Sequence, residues 1–245
     1  MKQSIIFLLA TLLLTSVCSV QNSRAQNDEN ATLLVFTKTD GFRHNSIPAG
    51  VEAFKEIGKA EGYTIDHTED ATVFNEENLA GYDAVVFLNT TENILNEKQE
   101  KAFKNYISNG GGFVGVHSAS DTEYDWAWYG RLVGAYFNGH PKVQEATVRV
   151  VDQSHISTVH LPEEWIRTDE WYNFRNIQDH LNVLAYLDES TYEGGTNGDN
   201  HPIAWYHEAM GGRAWYTGGG HTSECYSNEA FRQHLVGGIK YVLGE

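Results

Sequence analysis

The chain is poor in the residues that most often announce a protein's chemistry. It has two cysteines in 245 residues, Cys18 and Cys225. No C-x-x-C or H-E-x-x-H motif occurs, so a metal site would have to be assembled by the fold rather than by one local stretch. Basic residues are also scarce: 17 Lys and Arg face 33 Asp and Glu, for a formal net charge of −16. Such a surface argues against nucleic acid and anionic membrane as partners. Repeats, low-complexity tracts and linkers are absent, which leaves one domain over residues 31–245.

The N-terminus stands apart. Lys2, an apolar run from Ile5 to Leu14, and the small-x-small sequence Ser23-Arg24-Ala25 read as a secretory signal over residues 1–25. It is too short and wrongly flanked to span a membrane, so no membrane insertion is expected. Thr15-Ser16-Val17 before Cys18 makes a poor lipobox. Cleavage after Ala25 would release the chain into the periplasm, with residues 26–30 as a disordered leader. It would remove Lys2, Arg24 and Cys18, leaving a net charge near −18 and Cys225 alone. No intramolecular disulfide can then form, so the core must hold the fold unaided.

What the chain does have is rhythm. "TLLVFT" (32–37), "YTIDHT" (63–68), "DAVVFLNT" (83–90) and "FVGV" (113–116) read as strands, the apolar runs as strands covered on both faces. Between them, Ile47, Val51, Phe54 and Ile57 recur at helical spacing before Gly62. Asn96 caps a second helix that ends at Gly110. "WAWYGRLVGAYF" predicts another helix, with Trp126, Tyr129, Leu132, Val133 and Tyr136 on one stripe. "EATVRVVD", "LNVLAYLD", "PIAWYHE" and "RAWYTG" read as later strands, the last two as a hairpin, and "NEAFRQHLVGGIKYVLGE" as a closing helix. The pattern predicts an α/β fold: a mostly parallel sheet with helices on both faces and an added antiparallel hairpin near the C-terminus.

In open α/β sheets, sites form beyond the carboxyl ends of the strands. There the chain places "KTDGFRHNS", "NTTEN", "HSASD" and "GGGHTSECY", three of which carry a histidine. Asp40, Arg43 and His44 precede a helix start near Ser46, whose free N–H groups suit a carboxylate or a sugar oxygen. His117 sits where many α/β enzymes expose a nucleophile. As a base or ligand it needs one ring nitrogen fixed, by Asp121 or by a backbone carbonyl. In "TDEWYNF" (168–174), Asp169 and Glu170 adjoin Trp171 and Tyr172, and apolar surroundings would raise a carboxyl pKa toward acid/base use. His221 follows three glycines, with Glu224 near enough to orient it, and His140 in "FNGHP" is a further candidate.

These readings make His117, Glu170 and His221 the catalytic candidates. Asp40, Arg43, His44, Asp121, His140, Trp171, Tyr172 and Glu224 are the substrate-binding ones. His44, His117, Glu170 and His221 form a candidate mixed N/O site for a divalent metal. Trp126, Trp128, Trp171, Tyr172 and Tyr226 border the rim and offer faces for sugar stacking. Cys225 has nothing nearby to lower its pKa and reads as a small core residue.

With "GFRHNSI", "GGGFVGVHSASD", "YGRLVGAYFNGHP", "TDEWYNF", "PIAWYHE" and "YTGGGHTSECYSNEAFRQHLVGGI" together, the chain resembles the ThuA-like (trehalose-utilisation) family from about Leu33 to Gly244. The resemblance implies a class I glutamine amidotransferase-like, flavodoxin-like fold. Its elbow motif G-x-C-x-G falls here on Gly115, His117 and Ala119, so the thiol is gone and thiol amidotransfer with it. His221 matches the amidotransferase histidine. The resemblance also implies a sugar or keto-sugar substrate, notably disaccharides oxidised at carbon 3. The C–H bonds beside that ketone are acidic, so a base with a metal or second imidazole would permit isomerisation, epimerisation or eliminative cleavage. A non-catalytic sugar-binding module and a metal-dependent hydrolase of another small molecule remain open beside this reading.

Overall fold

The computed structural model describes residues 30–208 and 210–245. The proposed signal segment lies outside them, as does the leader except for Asn30. Among the described residues no helix is long and apolar enough to cross a membrane.

The first half runs β1 (Thr32–Phe36), α1 (Ile47–Glu61), β2 (Thr64–Thr68), α2 (Glu76–Leu79), β3 (Ala84–Leu88), α3 (Glu97–Ser108) and β4 (Gly112–Val116). The second runs α4 (Ala127–Val133), β5 (Tyr136–Phe137), β6 (Gln144–Val150), β7 (Glu164–Asp169), β8 (Phe174–Arg175), β9 (Asn182–Leu187), β10 (Pro202–His207), β11 (Ala214–Thr217) and α5 (Glu229–Leu243). One sheet of nine strands is ordered β2-β1-β3-β4-β11-β10-β9-β6-β7, and β5 pairs with β8 in a small second sheet. The five strands from β2 to β11 are parallel. The remaining four are antiparallel.

Helices cover both faces because neighbouring strand residues point opposite ways. On β3, Phe87 stacks on Phe103 of α3 and Tyr129 of α4, at 5.3 and 5.6 Å between ring centres. Its neighbour Leu88 lies against Gly50 of α1, which packs beside α5. Asn96 caps α3 in a complete capping box with Gln99, satisfying N–H groups that the helix start leaves free.

Two local expectations are corrected. The helix predicted through Tyr136 stops at Gly134, which takes φ 96°, and Tyr136 opens β5 instead. The antiparallel part is also larger than a hairpin, because β9, β6 and β7 extend it. In β7 the alternation is inverted: Ile166 is 59 % exposed while Asp169 is fully buried. An apolar residue outside and a charge inside hide the strand from a pattern search.

The extension does not stay flat. β7 lies four strands from β11, about 19 Å at the usual strand spacing. Yet Asp169 accepts a hydrogen bond from the Gly220 backbone, just past β11, at 2.9 Å. The antiparallel strands therefore curl around the start of α5, where Arg167 lies over the Phe231 ring at 4.5 Å. Strand direction alternates along the extension, so the carboxyl end of β7 reaches the same rim as those of β1, β4 and β11.

Candidate functional site

Four loops on that rim deliver four side chains to one point. His44 comes from the β1–α1 loop, His117 from the end of β4, Glu170 from the end of β7 and His221 from the loop after β11. Each offers a ligand atom, and these atoms all lie within 4.8 Å of one another.

The corner at His117 is held under strain. His117 has φ 50°, in the left-handed region that favours glycine. Its carbonyl accepts from the Tyr216 hydroxyl at 2.7 Å, and the Ala119 carbonyl accepts from Tyr129 at 2.7 Å. A Cβ at Gly115 would sit 2.9 Å from the Tyr216 ring, so the glycine is needed for close approach. The ring's Nδ1 lies 2.9 Å from the Gly218 carbonyl. A carbonyl can only accept, so Nδ1 carries a proton and Nε2 is the nitrogen turned toward the cluster. Of the two expected partners, the backbone carbonyl is the one used. Asp121, half-buried, instead accepts from the Tyr124 hydroxyl, and burial raises its pKa.

Glu170 ties the cluster together. Its Oε2 lies 2.9 Å from His221 Nδ1 and 3.6 Å from His117 Nε2, while Oε1 lies 2.9 Å from Nδ1 of the exposed His140. His221 Nδ1 and His117 Nε2 are 3.3 Å apart. The expectation that apolar surroundings raise the Glu170 pKa is corrected. Burial does push it up, but hydrogen bonds and charge from His117 and His221 outweigh burial and hold it at about 2. His221 moves the other way: burial lowers it, and Glu170 and Asp169 more than offset that, leaving it raised. His44 is driven down to about 2 by burial and by the neighbouring imidazoles of His117 and His221, so it stays neutral and keeps a lone pair available.

The set suits a divalent metal. Donors bound at about 2.1 Å in tetrahedral geometry stand about 3.4 Å apart, close to the 3.3 and 3.6 Å separations here. Three imidazoles and one carboxylate are borderline donors of the kind zinc takes. The three rings stand nearly edge-to-face, with centres 4.9, 5.1 and 5.3 Å apart. That arrangement lets ring edges, which carry the nitrogens, converge.

The remaining candidates divide. Tyr172 belongs to the site: its ring centre is 4.1 Å from that of His117 and its hydroxyl 3.5 Å from His44 Nε2. Asp40 and Arg43 are exposed on the β1–α1 loop, and Arg43 pairs with Glu69 at 2.6 Å. Two placements correct the sequence reading. Trp171 is a core ring, 1 % exposed, whose Nε1 donates to the Gln144 carbonyl at 2.9 Å. Glu224 is exposed, and the carboxylate that meets His221 is Glu170. Trp128 and Tyr226 are buried as well, so neither offers a stacking face. Cys225 is a buried core residue, and burial raises its thiol pKa.

Asp169, noted in the sequence beside Glu170 but given no role of its own, is the carboxylate that braces the cluster. Its carboxylate accepts from the backbone N–H groups of Glu170, Gly220 and His221 at 3.0, 2.9 and 3.1 Å, and from Arg167 at 2.8 Å. One buried side chain thus sets the positions of two cluster residues. The signal was its place beside Glu170 in an otherwise aromatic stretch.

A second carboxyl braces the rim. Glu123 is buried, and its Oε1 accepts from the Ile94 and Leu95 backbones at 2.9 and 2.7 Å. Burial raises its pKa from the ordinary 4.5 to about 7 against those two bonds. A raised folded value means that this contribution to stability is full below about 4.5 and is lost as pH climbs through about 7. Glu123→Gln, which cannot ionise, is expected to flatten the fall in stability between pH 5 and 8 by up to about 3 kcal/mol. Urea midpoints at both pH values check this, and parallel profiles for the two proteins would refute it.

An open α/β sheet with a strained strand-to-turn corner, and with working residues at the carboxyl ends of its strands, defines the glutamine amidotransferase-like fold. The residue at that corner in this chain is His117. The chain belongs to the ThuA family, described as trehalose utilisation, whose model matches residues 32–242. A thua-like protein from Bacteroides uniformis ATCC 8492 superposes with a TM-score of 0.74 at 24 % identity, covering 86 % of this chain and 91 % of that one. A second, from Parabacteroides merdae ATCC 43184, gives 0.69 at 18 % identity over 87 % and 90 %. A protein from Thermoplasma acidophilum described as a GMP synthase component gives 0.51 at 16 % identity over 86 % and 94 %. No protein of curated function matches the chain.

Proposed function

We propose that the chain is a secreted carbohydrate-utilisation enzyme that acts on a keto-sugar or 3-keto-glycoside, with a divalent metal held by His44, His117, Glu170 and His221. The observation that carries the reading is the convergence of those four ligand atoms within 4.8 Å. The family's trehalose-utilisation description supports a sugar substrate. A bound metal would supply Lewis acidity toward the ketone oxygen.

The chain's own residues supply the rest. Hydrogen-bonded through Nδ1 to the Gly218 carbonyl, His117 presents Nε2 without changing tautomer. Glu170 directs Oε2 at the imidazoles and leaves Oε1 on His140. His140 Nδ1 lies 2.9 Å from both Glu170 Oε1 and the Pro141 carbonyl and so carries a proton. The other ring nitrogen of this exposed imidazole accepts the proton lost from the carbon beside the ketone and passes it to solvent. Tyr172 and the buried wall behind His117 keep water from the inner side of the cluster. The signal-like residues 1–25 support release to the periplasm.

The test is incubation of the purified chain with trehalose oxidised at carbon 3, with and without Zn²⁺, followed by NMR. Expected results are metal-dependent conversion, or exchange of the C–H beside the ketone with deuterium. Neither conversion nor exchange under either condition overturns the proposal. Stoichiometric sugar binding without either would assign the non-catalytic module instead.

A further inference from the structure

Among the large hydrophobic side chains exposed on the described residues, Phe42 is the only aromatic one, at 64 % exposure. The tryptophans and tyrosines expected to stack on sugar mostly turn inward, so the rim's open ring is one that composition did not nominate. Its position is specific. The Phe42 ring stands edge-to-face against His44, at 4.9 Å between centres and 88°. From there a row of rings continues without a gap: His44 to His117 at 4.9 Å, His117 to Tyr172 at 4.1 Å and Tyr172 to Phe137 at 4.3 Å. The middle of the row is the buried cluster, and Phe42 is its open end.

The loop beneath Phe42 is tied down. Thr91 donates its hydroxyl to the Phe42 carbonyl at 3.0 Å and accepts from the Gly41 N–H at 3.3 Å, and its carbonyl accepts from the Asp40 N–H at 3.0 Å. Exposing a phenyl ring to water is unfavourable, and fixing its backbone removes the freedom to fold it away. A fixed aromatic face beside a polar centre suits the C–H face of a pyranose, and the exposed neighbours Asp40 and Arg43 can meet its hydroxyls.

We propose that Phe42 is a stacking platform for the second sugar ring of a disaccharide substrate, the ring that does not react. This deepens the reading above and rests on it: the reacting ring occupies the cluster while its partner lies on Phe42. The platform therefore selects glycosides over free monosaccharides.

Calorimetry with 3-ketotrehalose and 3-ketoglucose tests it on three proteins: the natural chain, Phe42→Ala and Phe42→Trp. Phe42→Ala is expected to weaken 3-ketotrehalose about tenfold and 3-ketoglucose less than twofold. Phe42→Trp should bind both sugars as the natural chain does, and its indole emission should shift on saturation with the disaccharide alone. Zn²⁺ affinity should be equal in all three. If Phe42→Ala leaves the disaccharide affinity unchanged, or weakens both sugars equally, the platform is overturned and the enzyme reading stands. If the natural chain binds neither sugar, both fall together.

Discussion

Replacing Glu170 with glutamine is expected to cut turnover of a 3-keto-glycoside by roughly 10²–10⁴-fold with the fold intact. Glutamine keeps the shape and one carbonyl oxygen, but it carries no charge to balance the imidazoles around it or to hold the His140 Nδ1–H. In the protein Glu170 faces His117, His140 and His221 at once, so it contacts three of the imidazoles of the site. Zn²⁺ affinity should fall as well, since an amide is a poorer ligand than a carboxylate. Steady-state kinetics with a metal titration and a thermal melt separate these effects. Natural-chain turnover in a well-folded Glu170→Gln protein would remove Glu170 from the chemistry.

The largest effect on stability is expected at Asp169. Asp169→Ala leaves Arg167, whose side chain is only 11 % exposed, without its ionic partner. It also strips the acceptor from three backbone N–H groups. Breaking a buried pair from one side costs about 3–5 kcal/mol, enough to bring a chain of this size near its unfolding threshold. Asp169→Asn keeps one oxygen, which can serve Glu170 and His221 or else Gly220 but not both sides, and should lose less. Since Asp169 acts on His221 and Glu170 through their backbones, it is a positioning residue. The Asn variant should show a drop of about 10- to 100-fold in Zn²⁺ affinity beyond its change in stability. Urea unfolding with a parallel metal titration reads both, and a loss below about 1 kcal/mol in Asp169→Ala would make the clamp incidental.

The contrast between Asp169 and the histidines shows what the sequence could carry. His44, His117 and His221 were legible because each follows a continuous apolar strand, β1, β4 or β11, and strand ends in such folds share a rim. Glu170 was half legible. Its residue type and aromatic neighbours stood out, but its charge state depends on His117 and His221, which are far away along the chain. β7 was hidden because its outward residue is Ile166 and its inward ones include Arg167 and Asp169, reversing the usual code. Trp171 was misjudged for the same reason. The direction of a side chain at the end of β7 follows from pairing with β6 and from the curl of the whole extension, and neither is a local property. Phe42 was missed because an exposed ring and a core ring look alike in one dimension.

The curl of the antiparallel strands sets when the site can exist during the life of the polypeptide. Its four donors span residues 44 to 221, and the last arrives only once β11 has paired beside β4 and β7 has swung round to meet it. A growing chain emerging from a ribosome or a translocon therefore has no pocket that could capture a stray cation. Were a metal to bind there, its loading would be a late event and a report of completed assembly. Once loaded, an ion would staple the youngest segments of the polypeptide to the oldest.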